Sequence, residues 1–390
     1  MMRKSRQVFV NAHVYHSDFR YESRILRCTW SAVNAGGFDR AEIISRHSDK
    51  QLKYEKVDDS RAVHRLSTPR ILNFLGKIGK ILSLLMWQAR VFFKLLRLRP
   101  VVINPHSVEV LPVCVFTAWI LRSAVIYDTH ELESQKSGAG NVYRKVTAIA
   151  ERIFCPRCSM IVTVCDPITN WYRERFSTTQ VATVRNFPLR SQGLHSPRTG
   201  LRRDLGIPID RTLVIYQGAV GEGRGVSLIL ETFATNPTLP IELLVLGYGE
   251  LVENVIRASA NDPRIHYLPA VAPTEVLSVT SQADIALCLI EGVSLSYEYS
   301  LPNKLLEATI AGVPTIVSDL PEMRRFITER NCGWVCRPTI DDFGSLLTRL
   351  SIDEIRAKRG AALDASRDMD WEKEVEPVIK RYRELLNKDI

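Results

Sequence analysis

The chain has 390 residues, 45% hydrophobic and 24% charged, with a formal net charge of +9. Such a length suits about two domains, each with its own core. The sequence has no uncharged apolar run of about 18 residues, which excludes a transmembrane helix, and eight cysteines in so long a chain do not form a disulfide scaffold.

The charge is unevenly divided. Residues 1–190 carry 30 Lys and Arg against 15 Asp and Glu, and residues 191–390 carry 22 against 28. The first half is therefore expected to meet an anionic surface. A membrane or a lipid phosphate suits it better than nucleic acid, for which no binding motif is present. The basic N-terminus has too short an apolar stretch for a secretion signal, so a cytoplasmic protein is expected, peripheral at the inner face of the cell membrane.

Strand-like and helix-like segments alternate, which predicts a parallel α/β architecture. In the first half, strands are expected at Gln7–Val14, Ala41–Ser45, Val101–Pro105, Ala124–Tyr127, Met160–Val164 and Val181–Val184. In the second half they are expected at Leu213–Gln217, Ile241–Leu246, Ile265–Leu268, Ile285–Leu289, Thr315–Val317 and Trp334–Cys336. A segment rich in Pro, Gly, Ser and Arg near 187–205 reads as a linker. This gives a first domain over 1–190 and a second over 205–366. A helix is expected from Trp371.

Between Ser60 and Val108 there are nine basic residues and no acidic one. Over Pro69–Arg99, Lys77, Lys80, Arg90, Lys94 and Arg97 fall on one helical arc, with Asn73, Ser83 and Gln88 in or beside it. Ile71, Phe74, Ile78, Leu82, Leu85, Phe92 and Leu96 fall opposite. Trp87, Val91 and Leu98 also lie in the basic arc. Two readings stand together: an amphipathic helix in a membrane interface, or a helix whose apolar face packs on the sheet. Gly76 and Gly79 suggest a break into two helices.

Three motifs carry chemistry. Ala124–Glu131, AVIYDTHE, ends a buried strand on a polar cluster, and parallel strands place their sites at such ends. Asp128, His130 and Glu131 are the candidates there, against the plainer reading of a loop that caps a helix. Val214–Leu230 reads as a strand, a glycine-rich loop and a helix. Its glycines let backbone N–H groups approach a diphosphate, and Arg224 offers a charge-assisted contact. Tyr297–Glu322, YEYSLPNKLLEATIAGVPTIVSDLPE, reads as loop, helix and buried strand, with Pro302 at the first helical position. Lys304 in the first turn makes an anion site, and Asn303 and Glu307, four residues apart, share a face. The competing reading is a surface helix whose Glu307 pairs with Lys304.

Other segments say less. Asp18, Arg20 and Arg24 read as surface charge, with contact to an acceptor as the alternative, and His13 and His16 show no partner. Cys155, Cys158 and Cys165 belong to one domain, Cys332 and Cys336 to the other, so reduced thiols are expected rather than zinc. No metal or cofactor is expected.

PNKLLEATIAGVPTIVSDLPEM resembles the donor-binding signature of retaining glycosyltransferases of family 4, which have the GT-B fold. That resemblance implies two facing Rossmann-like domains, a last helix that crosses back to the first domain (residues 371–390), and a nucleotide-sugar donor. It places Glu307 on the ribose and His130 against the donor sugar, beside Asp128. It also places phosphate binding at the loop from Gly218 through Arg224 and Gly225, and at Asn303, Lys304 and Leu305. LVLGYGE at 244–250 resembles the family's segment beneath the nucleotide, and Tyr267–Val271 the loop that contacts the base. The family has a second glutamate eight residues before Glu307. Tyr299 holds that position here, and Glu298 stands one residue upstream. The activity implied is transfer of a sugar to a saccharide or lipid-linked acceptor in bacterial cell-surface polysaccharide assembly. The rivals are a nucleotide-sugar epimerase of the same fold and a non-catalytic partner subunit.

Overall fold

A computed structural model describes residues 8–20, 22–49, 51–69, 76–136, 138, 140–189 and 200–387, apart from the side chain of Lys77. Gln7, Ile71, Asn73, Phe74 and residues 190–199 of the expected linker lie outside the described residues. The chain forms two compact units, Met1–Arg185 with Glu372–Ile390, and Asn186–Trp371.

The strands of the first unit are β1 (Val10–Val14), β2 (Arg40–Arg46), β3 (Tyr54–Lys56), β4 (Arg61–Leu66), β5 (Val102–Pro105), β6 (Ala124–Asp128), β7 (Met160–Thr163) and β8 (Val181–Thr183). They form one sheet in the order β3-β4-β2-β1-β5-β6-β7-β8. Only β3 runs antiparallel, as a hairpin partner of β4. The hairpin is not expected from the sequence. Its first strand is fully exposed, and its second buries Ala62, Val63 and Arg65 between half-buried polar residues, so neither shows a clean apolar alternation. All six strands expected in this half are present.

The helices that follow these strands are α1 (Ser23–Asn34), α2 (Gly76–Leu98), α3 (Leu111–Leu121), α4 (Asn141–Phe154) and α5 (Asp166–Arg175). Over the described residues α2 is unbroken, and Gly79 sits inside it. It turns inward the arc that holds Trp87 and Val91, together with Leu95, and leaves Ile78, Leu82 and Leu85 in solvent. The expectation that its apolar face packs on the sheet is thus corrected. The indole of Trp87 decides the orientation. It is fully buried, its Nε1 donates to the Ser45 carbonyl at 3.4 Å, and its ring lies 4.8 Å from that of His16. Filling that space with the largest side chain available outweighs the helix's overall polarity pattern.

Arg24 is also corrected, from surface charge to interior. Its guanidinium donates from Nη2 to Asp128 Oδ1 at 2.7 Å, from Nε to Asp128 Oδ2 at 3.0 Å, and from Nη1 to the Val184 carbonyl at 2.8 Å. It thereby ties α1 to the ends of β6 and β8. Asp18 and Arg20, by contrast, pair with each other at the surface, at 2.7 Å.

The second unit holds β9 (Thr212–Ala219), β10 (Ile241–Tyr248), β11 (Ile265–Pro269), β12 (Ile285–Cys288), β13 (Thr315–Ser318) and β14 (Gly333–Cys336). Their order is β11-β10-β9-β12-β13-β14, all parallel. Val214 and Tyr216 of β9 point into one core layer, and Leu213 and Ile215 into the other. Both faces of the sheet are covered, which is why its strands read as continuous apolar runs. The six strands expected here are all present. Part of the expected linker belongs to this unit: Leu201 is buried, and Arg202 pairs with Asp284 at 2.5 Å. In each sheet the strand order reverses direction at one place, beside β1 in the first and β9 in the second, and such reversals open a crevice at the strands' carboxyl ends.

Arg24→Met leaves the Asp128 carboxylate buried without its main cation. The variant is expected to lose about 3–5 kcal/mol of stability in urea unfolding. A loss below about 1 kcal/mol would show that the pair does not hold these elements together.

Candidate functional site

In the first unit the polar groups gather where β1, β5 and β6 end. Asn11 donates from Nδ2 to the Val102 carbonyl at 3.2 Å and to Asn104 Oδ1 at 2.9 Å. A carbonyl can only accept, so the amide has one orientation, with Oδ1 turned to His13. His13 Nε2 lies 2.5 Å from that oxygen and must carry the proton. Burial, with His106 beside it, holds His13 well below its ordinary pKa, so the ring is neutral and its Nδ1 is bare. His106 Nε2, 2.8 Å away, donates to it.

The other nitrogen of His106, Nδ1, lies 3.0 Å from His130 Nε2 and 3.2 Å from Asp128 Oδ2. Burial would raise the Asp128 carboxyl, but the Arg24 guanidinium, with His106 beside it, overrides it and keeps the group ionised. His130 Nε2 also faces Asp128 Oδ2, at 3.8 Å, which places the ring's proton on Nε2, toward the carboxylate. Burial pushes the pKa of His130 down to about 3. Its Nδ1 is left as a bare acceptor.

The ligand atoms of His106, Asp128 and His130 lie within 4.8 Å of one another. A metal ion there would face the Arg24 guanidinium, which already holds both carboxylate oxygens, so the cluster does not suit one. Just beyond, Glu131 pairs with Lys136 at 2.7 Å, and burial pushes the Glu133 carboxyl up to about 8. All eight cysteines are free.

In the second unit Gly218, the last residue but one of β9, has a φ of 109°, and the loop that follows the strand runs to Gly225, with φ of 77°. Both values favour glycine. A Cβ on Gly225 would also lie 2.0 Å from the Leu289 carbonyl oxygen, so only glycine lets the loop approach the end of β12 this closely. The Glu291 N–H donates to the Gly223 carbonyl at 3.1 Å and joins the two loops.

The Lys304 side chain passes Gly218, with Cε 3.9 Å from where a Cβ there would stand. Its Nζ is buried, has no hydrogen-bond partner among the described residues, and lies 3.7 Å from the centre of the Tyr216 ring. Burial, reinforced by the nearby Arg224 charge, pushes its pKa down to about 8. Lys304 and Glu307 do not pair. Glu307 instead accepts from Gln217 Nε2 at 2.7 Å. Two cations, Lys304 and Arg224, thus lie beside a glycine-rich turn.

The helix Asn303–Ile310 begins one residue after Pro302, which takes the capping position rather than the first helical one. Asn303 is exposed, and its Oδ1 accepts from Asn186 Nδ2 at 2.8 Å. The first N–H groups of a helix have no partner within it and attract anions. Leu305 has a fully buried side chain, and its N–H goes to the Pro302 carbonyl at 3.0 Å. Glu298 ends the short turn Leu295–Glu298, half-buried, with Cγ 3.8 Å from where a Cβ on Gly292 would be. Its carboxylate makes no hydrogen bond or ion pair among the described residues. Tyr267 donates from its hydroxyl to the Gly247 carbonyl at 3.1 Å.

Sequence reasoning gave no site role to His13, His106, Tyr216 or Gln217, and read Arg24 as surface charge. Each lies at or beside the end of a strand where its sheet reverses direction, save Arg24 on α1, and that position is the signal that points to them.

Two outcomes test this geometry. The folded pKa of Lys304, about 8, lies below its ordinary 10.5. The buried charge therefore costs stability in full below pH 8, and the cost fades as pH rises to 10.5. Lys304→Met is expected to raise apo stability at pH 7 by about 1–3 kcal/mol, with a smaller gain at pH 10. Equal or lower stability at pH 7 would contradict the burial. Separately, nitrogen NMR of 15N-histidine protein should show His130 as the Nε2–H tautomer, with its signal assigned by loss in His130→Gln. A proton on Nδ1 would break the chain of donors.

Residues 197–363 match the family described as Glycosyl transferases group 1. Among curated proteins none matches the chain. Sucrose-phosphate synthase of Thermosynechococcus elongatus is similar in structure, with a TM-score of 0.73 at 14% identity over 97% of this chain and 100% of that one. HepE of Anabaena, in complex with UDP-glucose, gives 0.74 at 14% over 97% and 99%. WaaG, a glycosyltransferase involved in lipopolysaccharide biosynthesis, gives 0.68 at 15% over 95% and 98%. At these identities the likeness speaks for the fold, which is that of the GT-B glycosyltransferases. The stretch that holds Gly218, Arg224, Lys304 and Glu307 is a glycosyl transferases group 1 domain, and the protein is an enzyme of the glycosyltransferase type.

Proposed function

We propose that this enzyme is a retaining glycosyltransferase of family 4. It moves a sugar from a nucleotide-diphosphate donor to a saccharide or lipid-linked acceptor in bacterial cell-surface polysaccharide biosynthesis. The observation that carries the reading is the Lys304 ammonium, buried without an anion beside Gly218 and near Arg224. A buried cation is costly unless something pairs with it, and a diphosphate supplies the missing charge.

In this reading Lys304, Arg224, Gly218, Gly225 and the first N–H groups after Pro302, at Asn303 and Lys304, hold the diphosphate. Leu305 shapes the site from the core. Glu307, steadied by Gln217, takes the ribose hydroxyls. His130 accepts a sugar hydroxyl on its bare Nδ1, Asp128 holds the histidines in place, and Glu298 is the free carboxylate nearest the position where the family's sugar contact is expected.

Transfer breaks the bond from the anomeric carbon to the diphosphate and forms one to an acceptor hydroxyl on the same face. Negative charge grows on the leaving diphosphate, and fixed cations stabilise it without reorganising. No metal is needed for that role. The UDP-glucose bound to HepE and the involvement of WaaG in lipopolysaccharide biosynthesis agree with a nucleotide-sugar donor and a surface-polysaccharide acceptor. A lipid-linked acceptor agrees with peripheral contact to an anionic membrane through 69–99, where Lys80, Arg90 and Arg97 are exposed. Among the described residues no helix is long and apolar enough to cross a membrane.

A thermal-shift panel of nucleoside-diphosphate sugars is expected to find one that stabilises the protein by about 2–3 kcal/mol near a hundredfold excess over Kd. Lys304→Met and Arg224→Ala should each weaken that binding at least about tenfold, roughly 1.4 kcal/mol. Stabilisation that survives both changes would place the diphosphate elsewhere. Conversion of the nucleotide-sugar to its epimer without acceptor would replace transfer by isomerisation.

A further inference from the structure

Three neighbouring helices of the first unit turn apolar side chains to solvent. α2 packs on α3, and α3 on α4. On α2, Ile78, Leu85 and Phe93 are 67%, 56% and 67% exposed, spaced about two turns apart on one side. On α3, Phe116, Trp119 and Ile120 are exposed, Trp119 by 77%. On α4, Val142, Val146, Ile149 and Ile153 are exposed at helical spacing. The Phe92 ring, 5.8 Å from that of Phe116, links the first two stripes. None of these stripes is a core face displaced outward, because each helix has a separate inward set: Trp87, Val91 and Leu95; Cys114 and Ala118; Thr147 and Glu151.

The exposed charge on and at the ends of these helices is basic, apart from half-buried Glu109 ahead of α3, which is engaged by His16 and Tyr143. Lys80, Arg90, Arg97, Arg122, Lys145 and Arg152 are exposed. The only acid on the three helices is Glu151, which is buried and accepts from the Tyr172 hydroxyl. An apolar surface with a cationic rim and no acid selects an anionic, apolar-cored partner. A second copy of the chain would set these cations against each other, which disfavours self-association.

We propose that the solvent faces of α2, α3 and α4 form one surface that seats on an anionic lipid bilayer. Phe93, Trp119 and Ile149 enter the headgroup layer, and the basic side chains meet lipid phosphates. The proposal extends the membrane contact from one helix to three and does not rest on the transfer reaction.

Full-length protein is floated with vesicles of phosphatidylcholine, with and without phosphatidylglycerol. It is expected to float with the anionic vesicles only, and to float less in about 1 M than in about 0.1 M salt. Trp119→Ser with Ile149→Ser should cut the bound fraction at least about tenfold, while Trp119→Phe retains it. Both positions are exposed, so the fold is expected to survive, and circular dichroism checks this. Trp119 emission should shift to shorter wavelength on vesicle addition, a shift absent in Trp119→Phe. Flotation unchanged by the double substitution would reduce the surface to α2 alone and overturn the proposal. A dimer in sedimentation that the double substitution dissolves, with no vesicle binding, would assign the face to a second copy.

Discussion

Arg24 and Asp128 meet in the interior of the first unit, both almost wholly withdrawn from water. Their mutual neutralisation sets the charge of everything around them. Beside that pair, burial keeps His13 and His130 neutral. One backbone carbonyl, that of Val102, then fixes the Asn11 amide and through it the proton on His13, while the Asp128 carboxylate draws the His130 proton to Nε2. A fixed acceptor atom on His130 is the product of that chain. A buried polar network of this kind is worth its desolvation only if every member is satisfied.

The second unit treats a buried cation in the opposite way. Lys304 lies against the Tyr216 ring, with Arg224 close enough to disfavour its charge further. The ring quadrupole and the more distant Glu307 charge offset part of the desolvation, and no carboxylate pairs with the ammonium directly. Glu307, the nearest candidate on the same helix, is engaged by Gln217. That engagement keeps a local ion pair from forming, so the positive charge stays available. The contrast is between Arg24, which has its partner, and Lys304, whose ammonium has no hydrogen-bond partner among the described residues.

Much of this could be read from the sequence. Every strand buried on both faces was legible, because Val, Ile and Leu runs between turn residues have few other interpretations. The glycine loop and the helix that starts at Asn303 were legible too, since each depends on local backbone signals. What escaped was non-local. Arg24 reads as surface charge because its partner lies 104 positions away. His13 and His106 are 93 positions apart and meet only because β1 and β5 are neighbours. The orientation of α2 escaped for another reason. A helical wheel weighs charges and apolar residues alike, whereas packing gives one large indole more influence than several lysines that can extend into water.

The depressed pKa of Lys304 joins these threads. An anion that enters beside it favours the charged form and draws its pKa back toward the ordinary value. Binding and protonation are therefore linked, and the desolvation that makes the empty site unfavourable is removed once the anion is seated. The same low dielectric that makes an unpaired ammonium costly makes its contact with a phosphate strong. Tyr216 and Gln217, adjacent on β9, act on both sides of that balance. The ring shelters the cation, and the amide withholds the nearest carboxylate from it. A strand with both faces covered in turn holds the two side chains in place. The fold's most ordinary feature, a buried parallel strand at the switch point, is thus what keeps a charge buried without a hydrogen-bond partner among the described residues.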